Sequence, residues 1–265
     1  MTLLYDTIFV FFAGLITALA TGLGAIPFFF VQSISTRWKS TLWGLAGGIM
    51  IAASVFGLIL EAGKYGTAME ITIGILVGIG LVVLGNRLLE NAQIDPKDYA
   101  EADYRKLILI LGILTIHSFP EGVAVGVSFA ELDFSTGISL LGLTVPVLGL
   151  FMTIAISIHN IPEGLSISIA LSNLGISKWK MVGLAIFSSL PQPIGAVLAF
   201  LSVQTATQLL PIGFGFAAGA MIYLVFTEFI PEALTIGRDM PYSGYLETSI
   251  GFLAGIFIML PFLFF

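Results

Sequence analysis

Only two histidines occur in the 265 residues, and each opens the same kind of hexapeptide: His117-Ser-Phe-Pro-Glu-Gly and His159-Asn-Ile-Pro-Glu-Gly. In both, a glutamate follows at i+4 (Glu121 and Glu163), so imidazole and carboxylate leave one helical face a turn apart. Two imidazoles and two carboxylates make a four-ligand nitrogen and oxygen set, which suits a divalent transition metal. The chain has no cysteine, which removes disulfides, iron–sulfur clusters and thiolate metal sites. Pro120 and Pro162 cannot donate to the carbonyls of Ile116 and Ile158, which predicts a local opening of each helix beside the ligands. Gly122 and Gly164, one residue past the glutamates, allow neighbouring helices to approach closely.

The elements that carry these motifs are set by composition. Hydrophobic residues make up 57% of the chain and charged residues 10%, against roughly 25% charged in soluble domains. Mean hydropathy is +1.05. A water-soluble globule has no interior large enough for that surface, so a soluble enzyme, a nucleic-acid binder and a disordered chain are excluded. Apolar runs bounded by charge predict an all-α integral membrane protein with eight transmembrane helices, near 7–31, 42–60, 70–89, 107–130, 145–171, 181–203, 209–236 and 245–264. The first run carries Asp6 in front and no basic leader, so it reads as a retained span rather than a signal peptide. Pro146 marks the start of the fifth. Residues 1–265 are expected to form a single transmembrane domain, with a charged loop at 90–106 between spans three and four.

Alternating the loops puts nine of the ten bases on one side (Arg37, Lys39, Arg87, Lys97, Arg105, Lys106, Lys178, Lys180 and Arg238) and Lys64 alone on the other. The positive-inside rule makes the first side cytoplasmic, and eight spans then leave both termini outside. The outer side carries Asp6, Glu61, Glu70, Glu131 and Asp133, an acidic face that concentrates cations, although solvated loop residues look the same.

His117 and His159 fall near the middle of spans four and five. A carboxylate at that depth costs at least ~2.5 kcal/mol on insertion scales, which calls for a compensating partner in both helices. One such histidine would read as a packing residue; the same motif twice at matching depth reads as a metal site.

The chain also repeats itself. Gly44–Ala62 in span two and Gly215–Ala233 in span seven agree at eight of nineteen positions without gaps, including Gly44/Gly215, Gly48/Gly219 and Glu61/Glu232. The two spans run in opposite directions, as do spans four and five, so the predicted architecture has inverted repeats: spans 1–3 against 6–8, with 4 and 5 an antiparallel pair. That arrangement is a transporter signature, with substrate held near the midplane. Small-residue packing alone accounts for part of the first match, but not for the paired hexapeptides.

On these features the chain resembles the ZIP metal transporters, the zinc- and iron-regulated transporter-like proteins. The resemblance runs over essentially the whole chain: eight spans, outward termini, a variable loop after span three and the motifs in spans four and five. It implies transport of zinc, iron, manganese, cadmium or related ions into the cytoplasm, with His117, Glu121, His159 and Glu163 as primary ligands. It also implies a second metal position, here made of Ser118, Asn160, Glu163 and Gln192. Bacterial relatives carry Asn in place of Ser118 and Glu in place of Gln192, so the set here holds one formal charge and binds weakly. Glu228 and Glu232, in Glu228-Phe-Ile-Pro-Glu232-Ala, resemble acids on a release path, or else reach interfacial water. Glu61 is their repeat partner at the outer end. Ser166, Ser168, Ser188 and Ser189 line a path or bond helix backbones, the second being the ordinary role.

The expected function is therefore a divalent transition-metal transporter, zinc foremost, moving the ion inward through a midplane His/Glu site. No P-loop is present, because Gly63-Lys64 is followed by Tyr65, so drive must come from the ion gradient and potential. For a doubly charged ion the potential supplies about 4.6 kcal/mol per 100 mV. The alternative is an intramembrane metal-dependent hydrolase, but its usual H-E-x-x-H spacing is absent and a duplicated motif suits passage better than activation of one water. No cofactor is expected beyond the transported ion, such as Zn2+. Expected partners are divalent ions and the lipid bilayer, with a homodimer allowed and no nucleic acid; the expected location is the plasma (inner) membrane, as a multi-pass protein.

Overall fold

With no water in the hydrocarbon core to bond free amides, a span that is apolar throughout must satisfy its backbone internally, and the helix does so. The computed structural model describes residues 2–31, 34–91, 118–130, 137–140, 143–173 and 176–261. Helix α1 runs Thr2–Leu23 and ends in a 3-10 turn, Ile26–Phe29. Helix α2 runs from Thr36 to Tyr65 and α3 covers Ala68–Asn91. Helix α4 is described over 118–130. Helix α5 covers Val147–Asn173, starting one residue after Pro146. Helix α6 is two pieces, Lys178–Ser188 and Pro191–Thr205, meeting at a turn. Helix α7 runs Leu210 to Ile236, and α8 is Tyr245–Met259.

Local chemistry explains where the helices begin. Ser35 caps α2, its Oγ accepting from the Trp38 amide at 3.5 Å. The helix therefore starts with Arg37 and Lys39 in its first turn, six residues before the predicted apolar run. Thr67 and Glu70 form a reciprocal cap on α3: the Thr67 amide donates to Glu70 Oε2 at 2.7 Å, and the Glu70 amide donates to Thr67 Oγ1 at 3.3 Å. Before α5, the stretch from Gly137 forms a small antiparallel hairpin, β1 (Ile138–Leu140) with β2 (Leu143–Val145), the only strands among the described residues.

Among the described residues, six helices are long and apolar enough to cross a membrane: α1, α2, α3, α5, α6 and α7. Helix α8 has 15 residues. The first half of the predicted fourth span (107–117), most of the loop at 90–106, and Glu131 and Asp133 lie outside the described residues. Exposed apolar side chains such as Leu76, Val77 and Leu84 on α3 and Leu253 and Phe257 on α8 suit a lipid surround. The chain is an all-α membrane protein.

Glycine seams set the helix pairs. A Cβ at Gly44 or Gly48 would overlap a carbonyl oxygen of α8, at Thr248 and Phe252; at Gly251 or Gly255 it would overlap one of α2, at Thr41 and Leu45. Helices α3 and α7 meet the same way, with Gly74 and Gly78 against Ile212 and Phe216, and Gly215 and Gly219 against Ile71 and Ile75. Both α2 and α7 contain a π turn, Ala53–Ile59 and Val225–Phe229. The repeat offset is 215 − 44 = 171, which carries residues 53–59 onto 224–230, over the second turn.

Helices α1, α4, α5 and α6 form the other group. Gly164 on α5 lies against the Thr21 carbonyl of α1, and Gly24 of α1 against Gly164 and Leu165. Gly122 and Gly126 on α4 lie against the carbonyls of Gln192 and Ala196 on α6. Phe129 of α4 and Met152 and Ile156 of α5 are buried in one hydrophobic core.

Candidate metal centre

Glu121 lies one turn into the described part of α4, and His159, Asn160 and Glu163 occupy consecutive turns of α5, which stays helical through Pro162. All four are buried. One ligand atom each from Glu121, His159 and Glu163 lies within 4.8 Å of the others. His159 Nε2 meets Glu121 Oε1 at 3.1 Å. His117 lies outside the described residues, and Ser118, the first residue of described α4, is fully buried.

Polar partners tie this group to α1 and α6. The Gln192 amide nitrogen donates to Glu121 Oε2. Asn160 Nδ2 donates to the Thr17 carbonyl at 2.7 Å and to Gln192 Oε1 at 3.0 Å. Three buried atoms, His159 Nδ1, Asn160 Oδ1 and Glu163 Oε2, meet no hydrogen-bond partner among the described residues. Each can accept or coordinate, and burying such an atom unbonded costs about 1–3 kcal/mol. A cation among them would satisfy that requirement, and imidazole with two carboxylates is a donor set for zinc or another borderline transition ion.

Aromatic rings close the site toward α2 and α7. The Phe229 ring lies 5.1 Å from the His159 ring, and Trp43 of α2 packs edge-on to Phe229 at 4.8 Å. Sequence reasoning missed Phe229, although it sits beside Glu228 in a segment already singled out. It also missed the Thr17 carbonyl, for which a side-chain reading offers no signal.

The remaining expected residues are not among the three grouped ligands. Glu228, half-buried, accepts from Asn86 Nδ2 of α3 at 3.1 Å, a partner that a polar residue at the end of an apolar run could have signalled. Glu232 is half-buried a turn further along α7. Glu61 pairs with Lys64 at 2.7 Å. The serines mostly bond helix backbones: Ser168 Oγ donates to the Gly164 carbonyl and Ser188 Oγ to that of Ala185, while Ser189 pairs with Thr21 at 2.7 Å. The side chain of Ser166 lies outside the described part of the structure.

Comparison with known proteins agrees with this chemistry. The family model for ZIP zinc transporters matches residues 89–262. The chain is similar to Zinc transporter GufA of Myxococcus xanthus, 33% identical over 232 residues that cover 83% of this chain and 87% of the relative. It is similar to Zinc transporter ZIPB of Bordetella bronchiseptica, 31% identical over 259 residues, 91% of this chain and 76% of the relative. A protein of Arabidopsis thaliana named for zinc transport is 43% identical over 217 residues, 82% of this chain and 33% of that relative, so the chain spans about a third of its length.

Proposed function

Because this chain belongs to the ZIP family of zinc transporters, we propose that it carries zinc inward across the plasma (inner) membrane, binding the ion between α4 and α5. The observation that carries this reading is the buried convergence of Glu121, His159 and Glu163, with ligand atoms within 4.8 Å of one another. His117, directly before Ser118 in the sequence, is the fourth member of the proposed primary set. Ser118, Asn160 and Gln192 border a weaker neighbouring position, and Glu228 and Glu232 lie on the release path toward the cytoplasm. Iron(II), manganese and cadmium are the competing substrates, since the donor set separates them from magnesium and calcium but not from zinc.

The residues act by replacing the water shell of the ion. Neutral imidazole and ionised carboxylate bind it, so protons compete with it for the site. Phe229 and Trp43 exclude water from one side. Drive comes from the ion gradient and the potential. The family is one of transporters rather than enzymes, which leaves the hydrolase without support.

Residues 1–265 act as one transport domain of eight crossings, with 90–106 as a cytoplasmic loop and both termini outside. Support for the inverted repeat comes from two pairs of features at matching places: the glycine seams of α2 on α8 and of α7 on α3, and the two π turns. A homodimer in the bilayer is compatible with the exposed apolar faces of α3 and α8.

The test is uptake by liposomes containing the purified chain, comparing zinc, cadmium, iron(II) and manganese, with His159→Ala and Glu163→Ala alongside. Saturable flux that both substitutions abolish is the expected result. Flux that survives them would refute the assignment of the site.

A further inference from the structure

The tail of α1, the end of α5 and the start of α6 border a cavity of about 420 Å³. That volume falls within the range of about 300–1,000 Å³ typical of small-molecule sites. Residues 28–31 supply one wall, Ile176, Lys178 and Met181 another, and Ser172 the edge toward α5. Six of these eight residues are apolar, so the lining is greasy except at Ser172 and Lys178. Phe28 and Met181 are buried, whereas Phe30 is 84% exposed, so the apolar surface runs from the interior out to the rim. Lys178 Nζ donates to the Phe29 carbonyl at 3.4 Å and lies 5.7 Å from the centre of the Phe29 ring. Trp179 packs edge-on to the same ring at 5.1 Å. An ammonium group has three N–H donors, so the bond to Phe29 holds Lys178 at the cavity and leaves it able to meet an anion.

The chain around this cavity carries one sign of charge. Residues 7–60 contain Arg37 and Lys39 and no acid, and residues 164–227 contain Lys178 and Lys180 and no acid. Arg37 lies 3.6 Å from Glu247 of α8, which offsets part of its charge. In the orientation proposed above, all four bases sit at the cytoplasmic face, where the leaflet is rich in anionic lipid. Trp38 and Trp179 are exposed in the same two segments, as residues at a membrane interface often are.

We propose that this cavity binds one anionic phospholipid of the cytoplasmic leaflet, with its phosphate at Lys178 and an acyl chain along the tail of α1. Basic pockets between transmembrane helices on this side recognise such headgroups. A free phosphate would gain the lysine but would meet six apolar residues. A zwitterionic lipid would bring a second positive group toward Lys178 and Lys180. An anionic lipid satisfies both the charge and the apolar walls. Once bound, it ties the cytoplasmic end of α5, the helix of His159 and Glu163, to α1 and α6. The inference rests on the membrane orientation given under the proposed function, and not on which ion is carried.

The experiment is native mass spectrometry of the purified, delipidated full-length chain, titrated with phosphatidylglycerol or with phosphatidylcholine of the same acyl chains. Lys178→Gln removes the charge at an exposed position. Ser172→Phe fills the cavity and keeps the charge, and Lys64→Gln removes a base from the opposite face. The wild type is expected to hold one phosphatidylglycerol in preference to phosphatidylcholine. Its affinity should fall roughly 5-fold or more in Lys178→Gln, fall likewise in Ser172→Phe, and stay unchanged in Lys64→Gln. Equal retention of the two lipids would overturn the proposal, as would a phosphatidylglycerol affinity unchanged by either Lys178→Gln or Ser172→Phe. Displacement of the lipid by inorganic phosphate would also overturn it, in favour of a free-anion site. Zinc uptake by the same preparations in liposomes reads the transport function separately, so any of these results with flux intact leaves transport standing. Ser177→Cys, in a chain with no other cysteine, should react with an impermeant maleimide from the cytoplasmic side alone. Labelling from outside overturns the orientation, and with it the leaflet assigned to the lipid.

Discussion

At Gly164 the backbone of α5 rests directly on that of α1, and one added methyl group tests this seat. A Cβ at Gly164 would fall inside the contact radius of the Thr21 carbonyl oxygen. Restoring an ordinary contact requires the two helices to part by roughly one and a half ångströms or more, and a clash against backbone leaves no flexible side chain to give way. Overpacking of this kind costs about 1–3 kcal/mol. Gly80 on α3 is the natural control, because a Cβ there meets nothing within 4 Å. An alanine at an open helical position is more favourable than glycine by about 0.8–1.0 kcal/mol. The pair Gly164→Ala and Gly80→Ala should therefore differ by about 2–4 kcal/mol, with opposite signs relative to the wild type. Function should fall further than stability does. Glu163 precedes Gly164 directly, and metal–ligand distances tolerate deviations of only about 0.2 Å. Thermal unfolding of the detergent-solubilised full chain, followed by zinc titration, measures both. If Gly164→Ala unfolds at or above the midpoint of Gly80→Ala and keeps wild-type zinc affinity, the backbone seat does not position the site.

Three further outcomes are expected. Zinc affinity should weaken on acidification, since protons compete with the ion for imidazole and carboxylate ligands; affinity flat or rising toward low pH contradicts this ligand set. Phe229→Ala removes the ring beside His159 and Trp43, and should destabilise the chain by about 3–5 kcal/mol and lower zinc affinity, measured by melting and titration; an unchanged affinity would make that ring mere packing. Thr67→Ala breaks the reciprocal cap of α3 and should cost about 0.5–2 kcal/mol while zinc uptake is retained; loss of uptake in a folded variant would tie that cap to transport.

The helices were legible because a span in lipid advertises itself by length and apolarity, and the paired motifs because histidine and glutamate are rare at that depth. Helix starts were less legible. Hydropathy began the second span at Leu42, yet α2 begins at Thr36, because Ser35 caps it and Arg37 and Lys39 lie in its first turn. The turn between Ser188 and Pro191 in α6 lay inside one apolar run, where hydropathy does not change although the hydrogen-bond pattern does. At the site, types and spacing pointed to Glu121, His159 and Glu163 together. The direction of Gln192 was not readable, because a carboxamide is donor and acceptor at once and only its neighbours in space decide which end faces which. Phe229 and the Thr17 carbonyl come from α7 and α1, and no periodicity links them to the motifs they touch.

The run of hydrogen bonds from Thr17 through Asn160 and Gln192 to Glu121 begins at a main-chain oxygen, and this bears on how such a site tolerates mutational drift. The Thr17 side chain bonds within its own helix, to the Gly14 carbonyl, and takes no part in orienting Asn160. Position 17 can exchange one small residue for another without reversing a single donor, as long as α1 remains a helix there. The side chains of Asn160 and Gln192 have no such freedom, because each must give and receive at once. A site anchored in this way inherits its direction from secondary structure, and substitution can alter the reach of its side chains more readily than the sense in which they bond.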